Sequence, residues 1–295
     1  MAIRSVQFKL NGQTYNLTLD SATGTYKATV TAPATTSYNA NADHKFHGEV
    51  IATDDAGNVA SATVSQFAAL GLRVLEKVKP SVSVTYPANG AFVGTNLSTI
   101  RWEVQDDGSG ADPDTIGISI DGGAVVKSGI TKTEIPNGYS CQYTPATALD
   151  DGAHTLTFSV ADHDGNAADA VSCGFTVDTV PPVLNVTAPA DGFVTNKATV
   201  NVTGSSNDLT SGPVTVTVNG KAATVGADGS FTLPVTLTEG ENEITVVSTD
   251  SAGKTTTVNR TVILDTAAPV IGNVTLAPNP VDAGATYIVT VEVTD

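Results

Sequence analysis

The chain has 295 residues, including 27 Gly and 14 Pro, and its 30 Asp and Glu against 14 Lys and Arg give a formal net charge of −16. Without clustered cations a nucleic-acid partner is not expected, and no apolar run of about 18 residues offers a membrane span. The length suits two to four small domains, and Thr- and Val-rich runs between turn residues point to an all-β chain.

The opening MAIRSVQFKL has one Arg and no apolar stretch ahead of its first polar residues, so no secretion signal is expected. VQFKLNG (Val6–Gly12) is an alternating strand that runs into Asn-Gly, the pair suited to a two-residue hairpin turn. The same ending recurs in IGISIDG (Ile116–Gly122) and VTVTVNG (Val214–Gly220). Thr31–His47 is the longest break in the alternation. Loops on rigid scaffolds carry recognition, so Tyr38, His44, Phe46 and His47 are the candidates for contact with another surface, polysaccharide included. If extended, His44 and His47 face opposite ways and do not share a metal.

TDDAGNVASATV from Thr53, ADHDGNAADAV from Ala161 and TDSAGKTTTV from Thr249 predict one hairpin three times. In each, an Asp side chain caps the turn and a Gly accepts the left-handed backbone. The helical period of FAALGLRVLEKV (Phe67–Val78) is broken by Gly71, and its LRVLEKV end predicts a closing strand. Domains open at VKPSVSVTYPANG from Val78, VPPVLNVTAPADG from Val180 and AAPVIGNVTLAPN from Ala267. A second strand follows each opening: IRWEVQD (Ile100–Asp106), TVNVTG (Thr199–Gly204) and TVEVTD (Thr290–Asp295). Trp102 shares an inward face with Ile100 and Val104, which makes it core filler.

DDGSGADPD holds Asp106, Asp107, Asp112 and Asp114, whose oxygens suit a hard cation such as calcium, with Gly108 and Gly110 allowing the chain to wrap. No Glu stands where an EF-hand loop needs one, and hydrogen-bonded turns are the competing account. Cys141 and Cys173 both point inward, either as small hydrophobes or as a disulfide across the core.

Short strands with a turn every 8–12 residues read as tandem immunoglobulin-like β-sandwiches, and DTVPP (Asp178–Pro182) leaves so little slack that a semi-rigid rod is expected. The expected domains are 1–77, 78–179, 180–267 and 268–295. The first lacks its two opening strands, and the last holds only those two. Strand addition between copies would satisfy both, head to tail. Val274, Leu276, Tyr287, Val289, Val291 and Val293 would then meet Val6, Phe8 and Leu10 of another copy; completion by a different partner protein is the alternative.

No Walker loop, HExxH, GxSxG or usable GxGxxG appears, so no enzyme and no cofactor are expected, calcium apart. The hairpin motifs, the DTVPPV and DTAAPV junctions and DDGSGADPDTIGISIDG resemble bacterial Ig-like repeats. Such repeats occur in surface adhesins, as spacers in cell-wall enzymes and in phage virions. MAIRSVQFKLNG and NPVDAGATYIVTVEVTD are similar to Ig-like proteins of the tail modules of phages of Gram-positive bacteria. That resemblance implies a virion component, assembled in the host cytoplasm and released by lysis. A fragment of a bacterial cell-surface adhesin or spacer that binds surface polysaccharide is the alternative.

Overall fold

The computed structural model describes residues 2–295 and places nearly all regular structure in β-strands. Two compact units result, one ending at Val177 and one running from Asp178. The architecture is that of tandem Ig-like β-domains.

Within the first unit, residues 2–77 form one five-stranded antiparallel sheet. Its order is Thr25–Lys27, Gln13–Asp20, Ile3–Leu10, Glu49–Asp54, Val59–Thr63. Asn11 (φ 47°) and Gly12 (φ 76°) make the tight turn that their side chains suit. Of this sheet's apolar side chains only Val6 and Leu10 are buried, and Phe46 joins them from the short pairing of Phe46–His47 with Gly71–Leu72. Neither of the two core clusters among the described residues draws on this segment. The strand expected over LRVLEKV is not there beyond Leu72, because Val74 bonds elsewhere: its N–H donates to the Ser37 hydroxyl (3.0 Å) and its carbonyl accepts from the Ser37 N–H (2.9 Å).

The rest of the unit is a sandwich of two four-stranded sheets. One runs Thr131–Ile135, Gly138–Tyr143, Ile100–Gln105, Ser81–Tyr86, and the other Gly117–Ile120, Gly152–Ser159, Val171–Val177, Ala91–Val93. Alternation sets what lies between them. Ile100, Trp102 and Val104 point in from one sheet, and Leu156 and Phe158 from the other. Trp102 is fully buried and lies 5.2 Å from the Phe158 ring, the core role its face implies.

In the second unit a three-stranded sheet (Val183–Ala188, Thr199–Asn207, Ser230–Thr236) faces a five-stranded one built around the Gly240–Thr249 and Thr255–Leu264 hairpin. Its core is mainly β-branched: Val202, Val216, Val218, Ile244, Val246 and Val262, with Phe231. Val270–Ala277 then pairs with Ile288–Thr294 as a two-stranded hairpin, and every residue of both strands is exposed.

Cys141 and Cys173 are free thiols buried in the first unit, on opposite sheets. Burial pushes the Cys141 thiol up to about 11, only partly offset by the nearby Lys132 charge, and burial raises Cys173 too. The thiolate is the reactive form. Native protein at mildly alkaline pH should therefore leave a thiol reagent such as DTNB unconsumed, whereas denatured, unreduced protein should consume one equivalent per cysteine. Fast labelling of the native state, or no thiols after denaturation, would contradict this packing.

Candidate functional site

The repeated turn is the unit from which the site is built. The Oδ1 of Asp54 accepts from the Ala56 and Asn58 amides, and that of Asp162 from the Asp164 and Asn166 amides; in the third turn the Oδ1 of Asp250 accepts from the Lys254 amide. Gly57, Gly165 and Gly253 close the turns at φ of 85°, 93° and 82°. Asn58 and Asn166 also donate a side-chain N–H to the second carboxylate oxygen of their aspartates. Lys254 stands at the matching position in the third turn, and Oδ2 of Asp250 is left buried without a partner.

Around two of these aspartates further carboxylates gather. Glu76, Asp106 and Asp162 in the first unit, and Asp178, Asp208 and Asp250 in the second, each bring three carboxylate oxygens within 4.8 Å of one another. The parts correspond. Glu76 and Asp178 precede an opening strand, Asp106 and Asp208 stand thirty residues later at the end of the second strand, and Asp162 and Asp250 cap the hairpin turn. Among the described residues no Lys, Arg or His forms an ion pair with any of the six. Charges that close repel on the order of 3 kcal/mol per pair at an effective dielectric of about 20.

Backbone amides hold the groups in place. Asp106 Oδ2 accepts from Gly108 (3.1 Å) and Gly110 (2.7 Å), and a Glu76 oxygen accepts from the Ser109 amide. A Cβ on Gly108 would overlap the Glu76 carboxylate, so the absence of a side chain there lets Glu76 in. Asp178 accepts from the Val180 amide. Burial works against the charge of Asp208, but the amides of Ser211 and Thr210 outweigh it and hold its carboxyl below the ordinary range.

The acidic loop expected from sequence proximity is arranged differently. Asp106 joins Glu76 and Asp162 across space. Asp107 instead accepts from the Asn137 side chain and Asp112 from the Asp114 amide, which is turn chemistry. The partners Glu76 and Asp162 escape a local reading because they come from other chain segments, although the thirty-residue spacing was available as a signal.

Beside the first group lies the packing of the Thr31–His47 loop. Tyr38 stacks between His44 and His163, with ring centroids at 4.1 and 4.3 Å and planes within 6°. The Arg73 guanidinium lies 6.0 Å from the Tyr38 ring and bonds Asp164, whose side chain is 0% exposed. Asp164 also accepts from the Thr36 hydroxyl and the Glu76 amide. Of the four host-contact candidates, Tyr38 and His44 are half-buried in this stack, Phe46 is buried, and His47 is exposed and bonded to Asp43. Of the assembly candidates, Val274, Leu276, Tyr287, Val289, Val291 and Val293 are 45–56% exposed, while Val6 and Leu10 are buried and Phe8 half-buried.

Residues 95–179 match the family described as bacterial Ig-like domain, and residues 182–266 match glucodextranase, domain B. Bacillopeptidase F of Bacillus subtilis is 37% identical over 123 residues, which is 42% of this chain and 8% of that protein. Among solved structures, the fibronectin(III)-like modules of Clostridium thermocellum CbhA align with 62% of this chain and 94% of their own, at 17% identity and a TM-score of 0.41. The titin I-band fragment I67–I69 aligns with 88% of this chain and 87% of its own, at 12% identity and a TM-score of 0.36. Ig-like and fibronectin-like domains are generally non-catalytic.

Asp164 gives a direct check on the packing. Burial alone would raise its pKa, but the Thr36 hydroxyl, the Glu76 amide and Arg73 together lower it. A depressed carboxylate contributes stability above its unfolded value, about 3.9, and loses it as pH falls through the folded one. Asp164→Ala should cost residues 2–77 about 1.5–3 kcal/mol at neutral pH and speed hydrogen exchange at the Glu76 amide. Wild type and variant should converge only as the pH falls through the depressed folded value. Equal stability of the two at neutral pH would count against it.

Proposed function

We propose that this chain is a non-enzymatic structural and interaction module whose Ig-like domains act as spacers, and that the hairpin Val270–Ala277/Ile288–Thr294 docks on residues 2–77 of a second copy by strand addition. The observation that carries the reading is the exposure of that hairpin on both faces, with Val270, Ile271, Val274, Leu276, Ile288, Val289, Val291 and Val293 all 45–69% exposed. An isolated two-stranded hairpin is marginal in water, and an apolar one gains by pairing. On the receiving side, residues 2–77 bury few apolar side chains and expose Ile3, Leu19 and Val59 at 48–65%. The matches to a bacterial Ig-like domain and to glucodextranase domain B support the non-catalytic part of the reading. We place the module in a phage particle, at the tail, on the resemblance of its first and last segments to tail-module proteins.

Multi-angle light scattering at micromolar concentration tests the assembly. The full chain should show concentration-dependent association, and removal of residues 268–295 should abolish it. A full chain that stays monomeric, with no change on truncation, would overturn the pairing. Recovery of the protein from purified virions supports the placement, and recovery only with cell-wall fractions replaces it with the adhesin reading.

A further inference from the structure

We propose that the two carboxylate groups, Glu76/Asp106/Asp162 and Asp178/Asp208/Asp250, are two copies of one calcium site. Proximity of acids alone would not carry this. Each group also presents a deeply buried carboxylate oxygen with no hydrogen-bond partner: Oδ1 of Asp106 in the first, Oδ2 of Asp178 and of Asp250 in the second. Those three residues are 5%, 0% and 6% exposed. A buried charged oxygen is costly to leave unpaired, and the other oxygen of each of these aspartates accepts from a backbone amide that fixes its aim.

The chemistry of the donors selects the ion. Every side-chain ligand is a hard carboxylate oxygen and no His or Cys takes part, which suits calcium or magnesium rather than zinc. Three carboxylate oxygens that all lie within 4.8 Å of one another can reach a single ion. Three carboxylates converging from the protein favour calcium, because magnesium keeps several of its waters and takes only one or two carboxylates. Each site ties three remote segments together: the approach to an opening strand, the end of the second strand and the hairpin turn. Calcium would therefore fix the linker residue of each triad, Glu76 or Asp178, to the body of its domain.

The test is isothermal titration of calcium into chelator-treated full-length protein, together with melting in chelator and in calcium. Wild type should bind two ions with dissociation constants between about 10 µM and 1 mM. Its Tm should rise by roughly 5 °C or more in saturating calcium. Asp106→Asn and Asp250→Asn should each remove one ion. Each should also melt higher than wild type in chelator, because one repelling charge is gone, and respond less to calcium. Gly108→Ala should remove the first ion alone, since the added methyl displaces Glu76. Uptake that persists unchanged in the Asp106→Asn/Asp250→Asn double variant would mean surface ions only and would overturn the proposal. So would a wild-type Tm unaffected by about 5 mM calcium, whatever the variants do.

Discussion

A side chain accepting hydrogen bonds from its own turn is the constraint on which the rest of this chain depends. Each of the three long hairpins must reverse direction at an aspartate, and the reversal leaves backbone N–H groups pointing inward with no strand to receive them. Asp54, Asp162 and Asp250 receive them. One carboxylate oxygen suffices for that task, which leaves the second free for something else. In two turns an asparagine takes it; in the third, Lys254 does not. Turn closure and the carboxylate groups are thus two uses of the same side chain, and whatever fixes the turn also aims the oxygen.

The first 77 residues obey different energetics from the rest. The domains after them enclose cores of Trp102, Ile118, Leu156 and Phe158, or of Val202, Val216, Ile244 and Val246, and each such side chain fully removed from water contributes about 1.5–3 kcal/mol. The opening sheet has only Val6, Leu10 and Phe46 to set against a similar ordering cost. Its substitute is polar and aromatic. Tyr38 sits between two imidazoles, Arg73 reaches a carboxylate buried beneath it, and the backbone of 74–76 bonds to Ser37 and Asp164 instead of joining a sheet.

Much of this fold was legible because its signals are local. Asn11-Gly12, Asp121-Gly122 and Asn219-Gly220 all adopt the paired positive φ that two-residue turns demand, and alternation placed Trp102 and both cysteines inward correctly. Seeing the Asp-x-x-Gly turns required only side-chain reach. The carboxylate groups were not legible in the same way. Asp106 and Asp107 are neighbours in sequence, yet strand geometry sends one toward Glu76 and Asp162 and the other to Asn137, a separation that proximity along the chain does not show. The LRVLEKV segment failed for a related reason: alternation states which faces a strand would have, and says nothing about competing hydrogen-bond partners.

The thirty-residue interval that separates Glu76 from Asp106 and Asp178 from Asp208 also separates Asp265 from Asp295. Asp265 caps its own turn through the Ala267 amide, as Asp178 does through Val180, and Asp295 follows the strand Ile288–Thr294 as Asp106 follows Ile100–Gln105. What this third pair lacks within residues 265–295 is a hairpin aspartate. The hairpin aspartate not yet used belongs to the opening sheet: Asp54, on a turn superposable in its hydrogen bonds on that of Asp162. If the exposed hairpin of one copy completes the opening sheet of another, Asp54 is the residue that would arrive beside Asp265 and Asp295. Strand pairing would then bring carboxylates of two chains side by side, from the same three places in the fold that each triad draws on within one chain.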